Sequence, residues 1–266
     1  MPGLGAVQVL SSEQARQFVE DGFVVVRGVF DPDIAQAASE LVWEAIGRHA
    51  RGGSSPEQPV AWHDNFVHLQ HGVEGAPFAQ IPGPRLYGVL DDLLGEGRWT
   101  WNETFGWWPV LFPGFAAKTS VADLGWHVDS DERYPVLRAP EKAVQAIFFF
   151  SDIPAGHGGT AVFPGSHAAV ARLLAEVEPR PLNDAEVRSR LPVPTSESQI
   201  VEVTGSAGDV LFAHPFLVHA SNRNLSKQAR FACNPHVDLL GPLELDLPTG
   251  DQSLVERAVT RALAAV

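Results

Sequence analysis

Trp126-His127-Val128-Asp129 is the stretch whose reading decides this chain. On an extended strand, positions i and i+2 face the same way, so His127 and Asp129 would present an imidazole and a carboxylate side by side. A second imidazole is offered far along the chain by His219, in Val218-His219-Ala220-Ser221, which also reads as a short strand. Two imidazoles and one carboxylate on one face of a metal leave positions open opposite them, an arrangement that suits Fe(II). Arg230 follows His219, and a planar guanidinium suits a two-point grip on a carboxylate. His214 is the rival for the third ligand position, but it precedes Pro215, which cannot donate to a strand ladder.

Outward from this stretch, the chain changes texture once. Before about residue 95 it reads as helical. Ser11 offers an N-cap for a helix over Ser12 to Asp21, with Ala15, Phe18 and Val19 as its apolar stripe and Gly22 as its stop. Phe23 to Val26 is a β-branched run that reads as a strand. Asp31-Pro32 opens a second helix that turns Ile34, Ala38, Leu41, Val42 and Ala45 to the core, and Pro84 to Leu94 reads as a third. Arg51 to Pro59 is rich in Gly, Ser and Pro and reads as a loop. From Trp99 onward, short Trp-, Phe-, Val- and Ile-rich runs alternate with Gly/Pro turns. The strands expected there are 99–104, 107–111, 125–129, 143–151, 161–163, 200–203, 210–213, 218–221 and 230–236. Residues 168–178 and 183–191 read as helical inserts, and 251–265 as a C-terminal helix. The expectation is one domain over 1–266: a helical N-terminal layer about 10–95, a β core about 97–240, and the closing helix.

The motifs, in order, resemble the phytanoyl-CoA dioxygenase-like family. They are Trp126-His127-Val128-Asp129, Gly158-Gly159-Thr160, Phe163-Pro164-Gly165-Ser166-His167, Gly208-Asp209, and His219-Ala220-Ser221-Asn222 followed by Arg230. The resemblance covers roughly residues 10 to 240. It implies a mainly-β fold with α: a double-stranded β-helix (jelly roll, cupin-like) core under a helical layer. It also implies an Fe(II)- and 2-oxoglutarate-dependent dioxygenase, with His127, Asp129 and His219 as iron ligands and Arg230 and Ser221 gripping the co-substrate. Thr160 either touches 2-oxoglutarate or simply begins a strand. No Ser or Arg follows His214 at the family's spacing. His167 reads as structural, and Ser166 as the cap of the helix after it.

Composition narrows the partners. A formal net charge of −13 over 266 residues argues against nucleic acid or an anionic membrane as partner, which would need a basic stripe, and weighs mildly against a coenzyme A ester. A lone cysteine, Cys233, fits a reducing compartment. The N-terminus shows no signal-peptide pattern and the apolar runs are too short to span a bilayer, so a cytoplasmic enzyme is expected. The expected partners are dioxygen and a small, neutral or apolar metabolite, hydroxylated or otherwise oxidised by desaturation, epoxidation or rearrangement. Two rivals stand beside this reading. One is a catalytically silent metal- or metabolite-binding protein on the same fold. The other is a halogenase, which would need a small residue where Asp129 stands. Of the aromatics from Trp99 to Phe115, most are expected in the core and one or two on a pocket wall. His63, His68 and His71 precede the β core and read more readily as surface residues than as a second metal site, with a role in binding substrate as the other alternative. Asn102 and Lys118 are polar residues near these strands whose reach to the co-substrate stays open.

Overall fold

The computed structural model describes residues 9–49, 65–69, 73–101, 105–129, 136–140, 142–178, 180, 182 and 184–265. The expected loop over Arg51 to Pro59, and His63, His71 and Asn102, lie outside the described residues.

Helix α1 (Ser12–Asp21) begins and ends as its sequence dictates. Ser11 Oγ accepts from the Gln14 amide and Gln14 Oε1 from the Ser11 amide, a reciprocal cap. The helix stops at Gly22, whose φ of +84° favours glycine; a Cβ there would also lie 2.5 Å from His167 Nδ1. Strand β1 (Phe23–Val26) and helix α2 (Pro32–His49) follow. The fully buried face of α2 is Ala35, Ala38, Val42 and Ile46; Ile34, Leu41 and Ala45 sit only partly buried beside it. A strand not foreseen, β2 (Phe66–Leu69), precedes α3 (Pro84–Leu94).

The β core then runs through β3 (Trp99–Trp101), β4 (Trp108–Leu111), β5 (Gln145–Phe149) and β6 (Thr160–Val162). Helices α4 (Ser166–Val177) and α5 (Asp184–Arg190) interrupt it. It resumes with β7 (Val201–Glu202), β8 (Val210–Ala213), β9 (His219–Ser221), β10 (Ala232–Cys233) and β11 (Val237–Leu239), and α6 (Leu254–Ala264) closes the chain. All the pairings are antiparallel: a four-stranded sheet β1-β8-β5-β10, a three-stranded sheet β7-β6-β9, and the pairs β11-β3 and β2-β4. This is the expected mixed architecture with a jelly-roll core, although the sheets of the described residues do not close into a barrel.

Register sorts the four-stranded sheet into two apolar faces. Phe23, Ala213, Ile147, Leu211, Phe149 and Ala232 turn inward, where they meet Val162 and Val203 of the three-stranded sheet. Val24, Val26, Ala146, Phe148, Val210, Phe212 and Cys233 turn outward under the helical layer. Being covered on both sides, β5 and β8 are buried at every position, which is why their sequences are continuous apolar runs rather than alternating ones. Helix α6 packs against α1, α3 and α4 and so belongs to that layer. It is held by a two-point ion pair from Arg98 to the fully buried Glu256, at 2.6 and 3.0 Å. Among the described residues no helix is long and apolar enough to cross a membrane.

Three expected strands are cut short. The segment 125–129 contributes one bridge, His127 to His219, instead of a strand, because Gly125 turns the chain at φ +81° just before it. The run 230–236 divides into β10 and β11, with Asn234 donating its amide to Trp107 O between them. The run 143–151 pairs only over 145–149.

Candidate metal centre

The bridge His127–His219 builds the site. The two residues exchange backbone hydrogen bonds at 3.0 Å each, which places their side chains next to one another with ring centroids 4.5 Å apart. On its other side β9 pairs with β6, setting His219 against Val162 and Ser221 directly against Thr160. One ladder therefore carries both histidines, Ser221 and Thr160. Asp129, two residues past the bridge, turns its Oδ1 back to His127 Nε2 at 3.3 Å and His219 Nε2 at 3.5 Å.

The hydrogen bonds behind the rings determine what they can offer. His127 Nδ1 lies 2.9 Å from Gly125 O and His219 Nδ1 lies 3.0 Å from Leu217 O. A carbonyl only accepts, so each Nδ1 carries a proton, and Nε2, the ring nitrogen turned to the carboxylate, is the one each histidine can offer a metal. Two ring nitrogens and a carboxylate oxygen that converge on one point suit a cation. Ligand atoms of His127, Asp129 and His219 all lie within 4.8 Å of one another. Imidazoles fixed from behind by backbone carbonyls are the arrangement that orients metal-binding histidines. The residues present thus fit a divalent ion with nitrogen and oxygen donors.

Charge is arranged around this point. Burial would raise the Asp129 carboxyl, but hydrogen bonds from His127 and His219 and the Lys142 ammonium hold it well below the usual carboxylate range. Its Oδ2 accepts from Lys142 Nζ at 2.8 Å, from Gln145 Nε2, and from Asn234 Nδ2 at 3.2 Å. A cavity of about 190 Å³ opens beside the three residues and is also lined by Thr160, Ser221, Arg230, Phe66, His68, Trp107 and Ile147. Arg230 is 3% exposed and donates Nε to Gly158 O and Nη1 to Pro109 O, both at 2.9 Å. Among the described residues no carboxylate pairs with it, and burial lowers its pKa to about 9. A buried guanidinium held only by carbonyls, with donors to spare at a cavity, is a seat for an anion.

The structure also separates the decoys. His214 is fully buried in the helical layer; its Nδ1 accepts from the Phe216 amide and its Nε2 lies 3.3 Å from Val255 O. It has no part in the metal-ligand cluster. His167, its neighbour at 5.0 Å between ring centroids, lies 3.3 Å from Val19 O and is structural, as expected. Ser166 is not a cap. It is the first residue of α4, and its Oγ accepts from the Val218 amide at 2.9 Å, steadying the approach to β9. Lys118 is exposed. His68, expected at the surface, stands in the cavity wall edge-on to Trp107 because β2 pairs with β4. Lys142, Gln145 and Asn234 are residues that sequence reasoning missed. The available signal was a polar residue inside an apolar run, as in Lys142-Ala143-Val144-Gln145-Ala146-Ile147.

A jelly-roll core bearing two histidines and a carboxylate beside a buried arginine defines a non-heme iron dioxygenase that uses 2-oxoglutarate. The chain belongs to the phytanoyl-CoA dioxygenase family, matching it over residues 18–232. It is accordingly a 2-oxoglutarate-dependent dioxygenase, with iron as cofactor and 2-oxoglutarate as co-substrate. Among known proteins it is similar to the ectoine dioxygenase of Bordetella parapertussis, 24% identical over 236 residues that cover 83% of this chain and 73% of the relative. Its fold is similar to that of AviO1 from Streptomyces viridochromogenes Tue57, with a TM-score of 0.55, 19% identity, and coverage of 87% of this chain and 96% of that one. It is also similar to HygX from Streptomyces hygroscopicus with nickel and 2-oxoglutarate bound, with a TM-score of 0.52, 16% identity, and coverage of 86% and 87%.

Proposed function

We propose that His127, Asp129 and His219 are the iron ligands and that Arg230, with Ser221 and Thr160, holds 2-oxoglutarate. The reaction is oxidation, in the first instance hydroxylation, of a small neutral or apolar metabolite, with release of succinate and carbon dioxide. The observation that carries this reading is the meeting, in one cavity, of three metal-ligand residues and an arginine that has no counter-anion among the described residues. Iron(II), when bound, supplies the activation of dioxygen coupled to decarboxylation of the oxo-acid. The chain's own residues supply the rest. Arg230 binds the carboxylate far from the metal, and the hydroxyls of Thr160 and Ser221, opposed across one ladder, direct the co-substrate along the strand. Phe66, Trp107 and Ile147 exclude water from the reacting side, and His68 is the polar group on that wall.

The likeness to an enzyme named for ectoine supports a small metabolite as substrate. The acidic chain, with a formal charge of −13, disfavours a polyphosphate ester. Cys233 is the lone cysteine of the chain, a usage that fits a cytoplasmic site of action.

The test is turnover by the Fe(II)-loaded protein of a panel of neutral metabolites in the presence of 2-oxoglutarate. Succinate should form in step with a product that has gained oxygen from dioxygen or lost hydrogen. Turnover without succinate, or a chlorinated product from the unmodified protein in high chloride, would overturn the reading. So would a protein that binds metal and metabolite but never forms succinate.

A further inference from the structure

Asp129 has two carboxylate oxygens, and the structure treats them differently. Among the described residues, Oδ1 faces the two imidazole Nε2 atoms. Oδ2 accepts three hydrogen bonds, from Lys142, Gln145 and Asn234. A carboxylate oxygen has about two lone-pair directions, so three donors leave none for a metal. The donors come from elements pinned into the core. Gln145 opens β5, the Ala143 amide beside Lys142 bonds Val237 O at 2.8 Å, and the Asn234 amide bonds Trp107 O at 2.9 Å. Gln145 Oε1 and Asn234 Oδ1 are buried with no hydrogen-bond partner, so both amides turn their N–H groups to the carboxylate and leave their own carbonyls unmatched. Reversing either amide would set oxygen against oxygen. Lys142 is 3% exposed, and a lysine so deeply buried is retained only with a paired charge.

We propose that Lys142, with Gln145 and Asn234, holds Oδ2 of Asp129 so that the carboxylate would offer a bound metal one oxygen rather than two. Lys142 also offsets the charge of Asp129, so a bound divalent ion would keep more of its charge for an anionic co-substrate. Lys142 is therefore a positioning residue: it touches Asp129 and acts through it. The inference rests on the ligand assignment above.

The direction of two affinities tests it. In Lys142→Met the charge of the carboxylate is no longer offset and Oδ2 is held only by the two neutral amides, so the carboxylate can turn and offer the ion both oxygens. Co(II) should bind more tightly and 2-oxoglutarate, added to the Co(II)-loaded protein, more weakly, each on the order of tenfold by calorimetry. The visible absorption of bound Co(II) should change with its coordination. Lys142→Arg, which restores charge and donors, should return 2-oxoglutarate affinity toward the original. A residue that merely supports the fold would loosen both ligands together. If Lys142→Met does not fold, Gln145→Leu with Asn234→Leu frees a lone pair while keeping the ion pair, and should move the affinities in the same opposite directions. Both affinities weakening together, or neither moving, in whichever variant folds, overturns the inference. Unmodified protein that takes up no Co(II), or His127→Ala that takes it up normally, would instead refute the ligand assignment.

Discussion

Replacing Arg230 with leucine should abolish 2-oxoglutarate binding without unfolding the protein, and the size of the effect follows from the side chain's surroundings. Burial lowers the guanidinium pKa from 12.5 to about 9. Each unit corresponds to about 1.4 kcal/mol, so the buried charge is strained by about 5 kcal/mol, offset in the free protein only by two carbonyl hydrogen bonds. An incoming carboxylate recovers much of that penalty. Removing one partner of such a desolvated pair costs about 2–5 kcal/mol, or roughly thirtyfold to several thousandfold in affinity. The free protein should tolerate the change, because leucine removes the desolvation penalty along with the two hydrogen bonds. The assay is calorimetric titration of 2-oxoglutarate into Mn(II)-loaded protein, with thermal unfolding of both forms alongside. The expected result is a collapse of 2-oxoglutarate affinity, unchanged metal uptake, and a free-protein Tm within a few degrees of the original. An unchanged dissociation constant would show that the cavity takes its anion elsewhere. A large drop in Tm would show that Arg230 serves the fold.

Two further outcomes follow. His214→Ala should keep metal binding at the stoichiometry of the unmodified protein, because His214 is not in the ligand cluster, but should lower stability by about 3 kcal/mol through the cavity it leaves; loss of metal with fold intact would contradict the site. Burial, with the nearby Arg172 and Arg261 charges, lowers the His167 pKa from 6.5 to about 4 despite its contact with Val19 O. The unfolded chain takes up this proton and the folded chain does not, so His167's contribution is fully present above pH 6.5 and is lost as pH falls toward 4. That is about 2 kcal/mol between pH 7.5 and 5, with His214 acting in the same direction. Urea unfolding at the two pH values checks it, and a pH dependence unchanged in His167→Gln would sink the attribution.

The sequence by itself determined the elements whose cause is local. A capping serine and a stopping glycine bound α1, a proline opens α3, and the two-residue spacing of His127 and Asp129 marks them as candidate metal ligands. Arg230 and Ser221 were legible too, because they follow His219 in the order the family resemblance carries. Tertiary structure alone decided what depends on register between distant strands. His214 and His219 are near in sequence, yet only His219 bridges to His127, while His214 bonds Gly22 O through its backbone and is buried under the helices. His68 reached the cavity wall through a pairing of β2 with β4 that its own sequence does not announce. Lys142, Gln145 and Asn234 converge on one oxygen of Asp129 from three positions along the chain. Hydrophobic periodicity records which face a residue takes, but not which partner stands opposite; that is fixed only when the strands pair and the buried charge must find its donors.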